Sequence, residues 1–226
     1  MPVLLSRAAL LRIAPFVLFM LLLALRGVLG SWSWSVIDPR WLYAATVLLV
    51  GGLLWAWRSE YGELAVQTFP SRTEVALAVG IGLVVFVLWI HLDAPAFRIG
   101  MPTAGFSPLD DTGQLQWSWV AWRWVGATLL VPVMEELFWR SFLMRWIDHV
   151  RFESVAPQRV RIKAVVLSTF LFMLAHTLWL AAVIAGLAYA WLFVRTGRLW
   201  VPVIAHAATN GALGVWVVAT GSWGFW

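Results

Sequence analysis

Between Ala164 and Val194 the chain runs 31 residues without a single Lys, Arg, Asp or Glu. As one helix this stretch would measure about 46 Å at ~1.5 Å per residue, well past the ~30 Å hydrocarbon core of a bilayer. It therefore reads as two membrane-crossing helices joined by a turn, which the pattern sets near Trp179 to Ala182. Further apolar stretches run from Leu10 to Leu29, Trp41 to Trp57, Val75 to Leu92, Trp119 to Ile147 and Leu199 to Thr220, with short polar connectors between them. The last follows an Arg195-Thr-Gly-Arg198 break in which Gly197 suits a helix end. With 62% hydrophobic and 12% charged residues, the composition lies outside that of soluble domains.

The expected fold is an all-α polytopic membrane protein, a bundle of about seven (six to eight) transmembrane helices with the site between the later ones. Residues 1–226 form one membrane domain, in which 119–220 are the core and 1–118 add N-terminal spans and an outer loop. That loop, Asp93 to Gln116, holds Pro95, Pro102, Pro108, Gly100, Gly105 and Gly113 and reads as irregular. Ile13 to Leu25 also has the length of a signal-peptide apolar region ending at Val28-Leu-Gly30, but the remaining spans already commit the chain to the membrane.

Lys and Arg fix an orientation. With the N-terminus in the cytoplasm, inner segments hold Arg7, Arg12, Arg58, Arg72, Arg145, Arg151, Arg159, Arg161, Lys163, Arg195 and Arg198, and outer ones only Arg26, Arg40 and Arg98. This bias supports an N-terminus inside and a C-terminus outside, in a multi-pass protein of the bacterial inner (plasma) membrane. Because these cations lie in connectors and not in a compact basic domain, the net charge of +5 speaks for membrane lipid and not for nucleic acid. Trp residues near the stretch ends, among them Trp32, Trp34, Trp41, Trp55, Trp57, Trp117, Trp119, Trp122 and Trp200, fit interfacial belts. The chain has no Cys, so thiol nucleophiles and thiolate metal sites are excluded.

Against this apolar background a few ionisable residues need a reason, since a charge at bilayer depth costs at least ~2.5 kcal/mol and usually marks a site. Glu135 and Glu136 lie within Val131-Pro-Val-Met-Glu-Glu-Leu-Phe-Trp-Arg140. Adjacent helical residues point about 100° apart, so the two carboxylates divide their work. Glu136 and Arg140 form an i,i+4 pair in the favoured order, which leaves Glu135 free for chemistry. Pro132 removes an N–H and releases the Thr128 carbonyl, which can bend the helix and open a wet pocket above the carboxylates. Phe172 and His176 share a face by the same spacing, as do His206 and Asn210, and Gly214 continues the second stripe so that a facing helix can come close. His91 and His149 sit at boundaries, and Arg123 suits a snorkelling role near the outer end of its span.

On these boundaries Glu135 lies in the inner half of its span, while His176 stands about 18 Å from Ala164 at ~1.5 Å per residue, beyond the midplane. A shared depth requires the fifth helix to begin nearer Pro157, or the boundaries to shift.

Glu135-Glu-Leu-Phe-Trp-Arg140 has the form EExxxR, Phe172-Met-Leu-Ala-His176 has FxxxH and His206-Ala-Ala-Thr-Asn210 has HxxxN, in that order on successive apolar segments. This combination resembles the CAAX-protease and bacteriocin-processing family, which includes the type II CAAX prenyl endopeptidases, over roughly Trp119 to Thr220. The resemblance implies an intramembrane endopeptidase in which Glu135 matches the water-activating glutamate, His176 its partner, and His206 with Asn210 the pair that meets the scissile carbonyl. Glu136 joins these as a catalytic candidate, with Arg140 and Phe172 in support.

The chemistry is sound in itself: a carboxylate in a desolvated cavity can take a proton from water, an imidazole can orient that water, and an amide can donate to the oxyanion. Glu135, His176 and His206 are also ligand types that suit Zn²⁺ in a catalytic triad, so the metal is left open. The implied partner is a protein or peptide, lipid-modified or plain, cut near the cytoplasmic face. The alternative is a non-catalytic scaffold or transporter that uses the same polar residues, an immunity-type role; the lack of paired halves counts against transport. Serine chemistry lacks a Gly-flanked Ser in a span, and Asp110 and Asp111 fall in a loop, away from any aspartyl pair.

Overall fold

The computed structural model describes residues 5–30, 38–100 and 106–226. Trp32, Trp34, Pro102 and Gly105 lie outside the described residues. Among the described residues seven helices follow in order: α1 (Arg7–Gly30), α2 (Pro39–Ala56), α3 (Arg72–His91), α4 (117–148), α5 (Ile162–Leu174), α6 (Trp179–Thr196) and α7 (Trp200–Thr220). The expected all-α bundle is what is found, and among the described residues no strand forms beyond the isolated bridges Arg98 to Leu178 and Leu109 to Leu115.

Local chemistry explains the helix ends. Asp38 accepts from the Arg40 N–H ahead of α2, whose first residue is Pro39, where a missing N–H costs nothing. Ser71 and Glu74 form a capping box at the start of α3, each side chain satisfying the other's backbone N–H. Gly197 and Gly221 close α6 and α7 at φ of 70° each, a left-handed turn in which a Cβ would be strained.

Four helical stretches, Arg7–Leu29, Arg72–His91, Trp179–Thr196 and Trp200–Thr220, are long and apolar enough to cross a membrane, while Arg40–Ala56 and Ile162–Leu174 are shorter. The outer surface of the bundle is apolar, with Leu21, Leu48, Leu49, Phe170 and Trp191 all exposed, as a lipid solvent permits. Trp41, Trp55 and Trp117 are exposed at helix ends, the position of an interfacial belt.

The turn between the fifth and sixth helices differs from expectation. It falls at 175–178, ahead of Trp179, and α5 begins at Ile162 after a single 3₁₀ turn at Pro157–Arg159. Contacts remote in sequence fix it: the Ile99 N–H donates to the Thr177 carbonyl at 2.8 Å and Trp179 Nε1 donates to the Ala96 carbonyl at 3.0 Å. The loop after α3 therefore ends α5, in a stretch of residues 171–180 that contains neither Gly nor Pro.

Two segments of α4 are π-helical, Gly126–Leu130 and Leu137–Met144. The first ends at Leu130, ahead of Val131 and Pro132, and the Val131 N–H reaches back five residues to the Gly126 carbonyl. Widening the helix ahead of a residue that cannot donate relieves the clash a regular turn would impose.

Small residues set how closely the other helices approach. A Cβ on Gly82 of α3 would stand 2.2 Å from the Ala205 carbonyl oxygen of α7, so only hydrogen fits there. A Cβ on Gly186 of α6 would stand 2.9 Å from Cγ2 of Thr169 of α5. Close contacts of this kind hold helices together where lipid supplies no hydrophobic drive between them. One apolar core extends through the bundle, from Phe16 and Val50 through Met134 and Phe172 to Tyr189 and Ala205.

Candidate active site

The polar residues singled out above converge where α4, α5, α6 and α7 pack. Glu136, fully buried, is the hinge of the arrangement. Its Oε1 accepts from Arg140 Nη1 at 3.1 Å and from His206 Nδ1 at 2.9 Å. The expected clasp to Arg140 is thus one half of a three-residue unit that ties α4 to α7. Its Oε2 is buried with no protein partner.

Arg140, 3% exposed, is held from several sides. Its guanidinium lies 4.7 Å from the Phe172 ring centroid and 5.4 Å from that of Tyr189, and Nη2 donates to the Gly186 carbonyl at 3.4 Å. Cation–π contacts strengthen where water is excluded, which is how this charge is accommodated among apolar groups. Absence of a Cβ at Gly186 is what allows α5, through Thr169 and Phe172, to approach α6 so closely.

His206 is fixed at both its edge and its face. Nδ1–H goes to Glu136, and the ring stacks on Tyr189 at 5.0 Å with 21° between planes. Nε2 is then the atom turned to chemistry, the usual division of labour in a carboxylate-held imidazole. Tyr189 is itself anchored: Thr209 spends its hydroxyl hydrogen on the Gly82 carbonyl at 2.8 Å, so the Tyr189 hydroxyl donates to Thr209 Oγ1 at 2.7 Å.

His176 stands in the turn after α5 and not inside a helix. Its ring folds back, Nδ1–H donating to the Phe172 carbonyl at 2.8 Å, with centroids 4.3 Å from Phe172 and 5.7 Å from Trp89. The imidazole thereby lies back along α5, toward Phe172. Glu135, His206 and Arg140 are the charged or titratable groups whose fields act on it, Glu135 most strongly.

Glu135 is half-buried, and its Oε2 is buried without a protein partner. A carboxylate oxygen left in that condition is a group with bonding capacity to spare. Asn210 shares the stripe of His206, and its Nδ2 donates to the Ala127 carbonyl at 2.9 Å, inside the first π-helical segment. One of the two amide hydrogens is spent there and the other is not. Gly211 and Gly214, against Thr128 and Trp124, allow α7 to lie along this part of α4.

Glu136, Arg140 and His206 are therefore in direct contact, His176 lies within the field of Glu135 and His206, and Asn210 is held one turn along on α7. Tyr189, Thr209 and Gly186 complete the surroundings and were missed by the motif reading. A signal for Tyr189 was present: it is one of only three Tyr residues and lies within an otherwise apolar run three residues after Gly186.

Among the described residues no three His, Cys, Asp or Glu side chains are grouped to hold a metal ion, so Glu135, His176 and His206, the set left open for Zn²⁺, are not assembled as one. Nδ1 of His206 is taken by Glu136 and Nδ1 of His176 by the Phe172 carbonyl, which leaves each Nε2 free.

The remaining candidates are boundary residues, as expected. His91 Nδ1 bonds the Val87 carbonyl and His149 Nδ1 accepts the Arg151 N–H, both at exposed positions. Arg123 does not reach out to solvent as a snorkelling chain would; its guanidinium lies 4.9 Å from the Tyr43 ring and donates to the Tyr43 hydroxyl at 3.1 Å.

Residues 117–212 match a known family, described as type II CAAX prenyl endopeptidase Rce1-like. The match takes in α4 to α6 and most of α7, with all three motifs, and leaves α1 to α3 outside it. No curated protein and no solved structure matches the chain. Several helices able to span a bilayer and a match of this kind make the chain an integral membrane protein whose residues 117–212 are similar to the Rce1-like type II CAAX prenyl endopeptidase family.

Proposed function

We propose that the chain is an intramembrane endopeptidase that hydrolyses a peptide bond with water activated by Glu135. Supporting this reading above all is a buried, unpartnered Glu135 oxygen, next in the chain to the Glu136 carboxylate that locks the His206 imidazole. Glu135 takes a proton from water held also by His176 Nε2, and the water oxygen adds to the scissile carbonyl carbon. The second Asn210 amide hydrogen meets the oxyanion, beside the His206 ring that Glu136 holds in place. The C–N bond breaks as Glu135 returns its proton to the leaving amine.

Glu136 and Arg140 are positioning residues in this scheme. A buried carboxylate bonded to an imidazole fixes ring orientation, the role a buried acid plays beside a catalytic histidine elsewhere. No covalent intermediate is required.

Glu135→Gln keeps size and polarity but cannot accept the proton. In membranes carrying the parent or the variant, offered a panel of isoprenylated and plain peptides, we expect the parent to cut at least one member. The variant should be inserted and folded yet inactive, a loss of at least ~100-fold for a missing general base. Cleavage retained by the variant removes Glu135 from the mechanism.

A further inference from the structure

Arginines stand at the end of the bundle where α1 and α3 finish and α2 and α4 begin. Arg40 is paired there with Asp38 at 2.6 Å, and Arg98 with Asp93. Arg26 of α1 and Arg123 of α4 have no carboxylate partner among the described residues, and the segments 1–4, 31–37 and 101–105 contain no Asp or Glu to supply one. The two cations are linked through a buried aromatic pair. The Arg26 guanidinium lies 5.5 Å from the Phe106 ring centroid, the Phe106 and Tyr43 centroids are 5.6 Å apart, and the Arg123 guanidinium lies 4.9 Å from the Tyr43 centroid. Phe106 and Tyr43 are buried, so little water screens one charge from the other, and Arg123 is the cation whose field acts on Arg26. Among the described residues the Arg123 guanidinium donates only to the Tyr43 hydroxyl, at 3.1 Å, and its Nε is buried without a partner. Cation–π contacts offset part of the cost of burying a guanidinium, but they do not cancel two like charges. A group of opposite sign does.

Depth selects the kind of anion. Arg26 lies four residues before Gly30, Tyr43 four after Pro39 and Arg123 six after Trp117, which sets all three about 6–9 Å below the helix ends at ~1.5 Å per residue. Trp41 and Trp117 are exposed at those ends, the position of an interfacial belt, and Leu21, Leu25 and Leu129 are exposed on the apolar surface of α1 and α4. A water-soluble anion has to leave water to reach this level, whereas a phospholipid carries its phosphate at the boundary and lays its chains along such a surface. Basic pockets between membrane helices take anionic headgroups for that reason. We propose that Arg26 and Arg123, over the Tyr43 and Phe106 rings, form a binding site for the phosphate headgroup of an anionic phospholipid. The site joins α1, α2 and α4, of which α4 alone lies within the matched residues 117–212, and it stands apart from the peptidase reading.

The test uses the whole chain, stripped of lipid in dodecyl maltoside and offered phosphatidylglycerol, phosphatidylethanolamine of the same acyl chains, or inorganic phosphate at one concentration. Native mass spectrometry reads retention and thermal unfolding reads stabilisation. The parent should hold phosphatidylglycerol roughly tenfold more tightly than phosphatidylethanolamine, and its Tm should rise with phosphatidylglycerol but not with inorganic phosphate. Arg26→Gln should lose that preference, Arg26→Lys should keep most of it because the charge remains, and Arg40→Gln, whose partner is Asp38, should match the parent. Equal retention of the two lipids by the parent overturns the proposal without need of a variant. So does undiminished preference in Arg26→Gln, an equal loss in Arg40→Gln, or a Tm rise with inorganic phosphate that matches the rise with phosphatidylglycerol.

Discussion

Replacing Arg140 by Met tests the buried charge unit directly. The side chain is nearly isovolumetric in its stem but carries no charge, so Glu136 would keep only the His206 bond at 2.9 Å and lose the Arg140 bond at 3.1 Å, with Oε2 already unpartnered. Glu136 is 0% exposed, and removing one partner of a buried pair leaves an uncompensated charge, a loss of about 3–5 kcal/mol. The contacts to the Phe172 and Tyr189 rings vanish as well, adding a further ~1 kcal/mol at each desolvated face. Combining the change with Glu136→Gln removes the stranded carboxylate, so the double variant should be more stable than Arg140→Met alone despite carrying two substitutions. Unfolding of parent, both single variants and the double variant in bicelles, followed by steric trapping, gives the cycle. A cost for Arg140→Met below about 1 kcal/mol, the range of exposed pairs, would refute the reasoning. So would a double variant at the sum of the two single losses, because pairs in contact must couple.

Two further outcomes follow from the same geometry. Tyr189→Phe removes the hydroxyl on Thr209 but keeps the ring on His206, so cleavage should fall only a few-fold, with stability down by about 1 kcal/mol; Tyr189→Ala loses the stack and should cut kcat at least ~100-fold, as steady-state rates on both variants will tell. At the other end of the bundle Glu63 is bonded by Arg12 at 2.8 and 2.6 Å and by Ser141. Burial alone would raise the Glu63 carboxyl, but Arg12 and Ser141 together hold it below the ordinary glutamate value. A depressed folded value means stability that is present above the unfolded value of ~4.3 and lost as pH falls through the folded one. Hydrogen exchange across residues 61–68 should accelerate on acidification below about pH 4, and Glu63→Gln should abolish that dependence.

Much of the fold was legible because lipid leaves few choices. Apolar runs of fixed length must be helices, and Gly197 marked its helix end by the φ it alone takes freely. The turn at 175–178 was not legible, because no Gly or Pro signals it and loop 93–100, some eighty residues away, imposes it through Ile99 and Ala96. The π-helical segments of α4 escaped for a related reason: Pro132 announced a disturbance, but a bend and a widened helix satisfy the same missing N–H. Within the site, the i,i+4 rule found the Glu136 and Arg140 pair. It was blind to the His206 bond on Glu136, which joins positions seventy residues apart, and to the Tyr189 ring between Arg140 and His206. Spacing along one helix reports neighbours on that helix; it carries no information on which faces of two helices meet.

The claim that matters most is direct attack by a Glu135-activated water, and single-turnover cleavage in H₂¹⁸O, read by mass spectrometry of peptide products and intact protein, tests it most directly. The account predicts one ¹⁸O atom in the newly formed carboxylate, no change in protein mass at any time point, and no turnover in Glu135→Gln. An acyl adduct on the protein, or incorporation that persists in the glutamine variant, would contradict it.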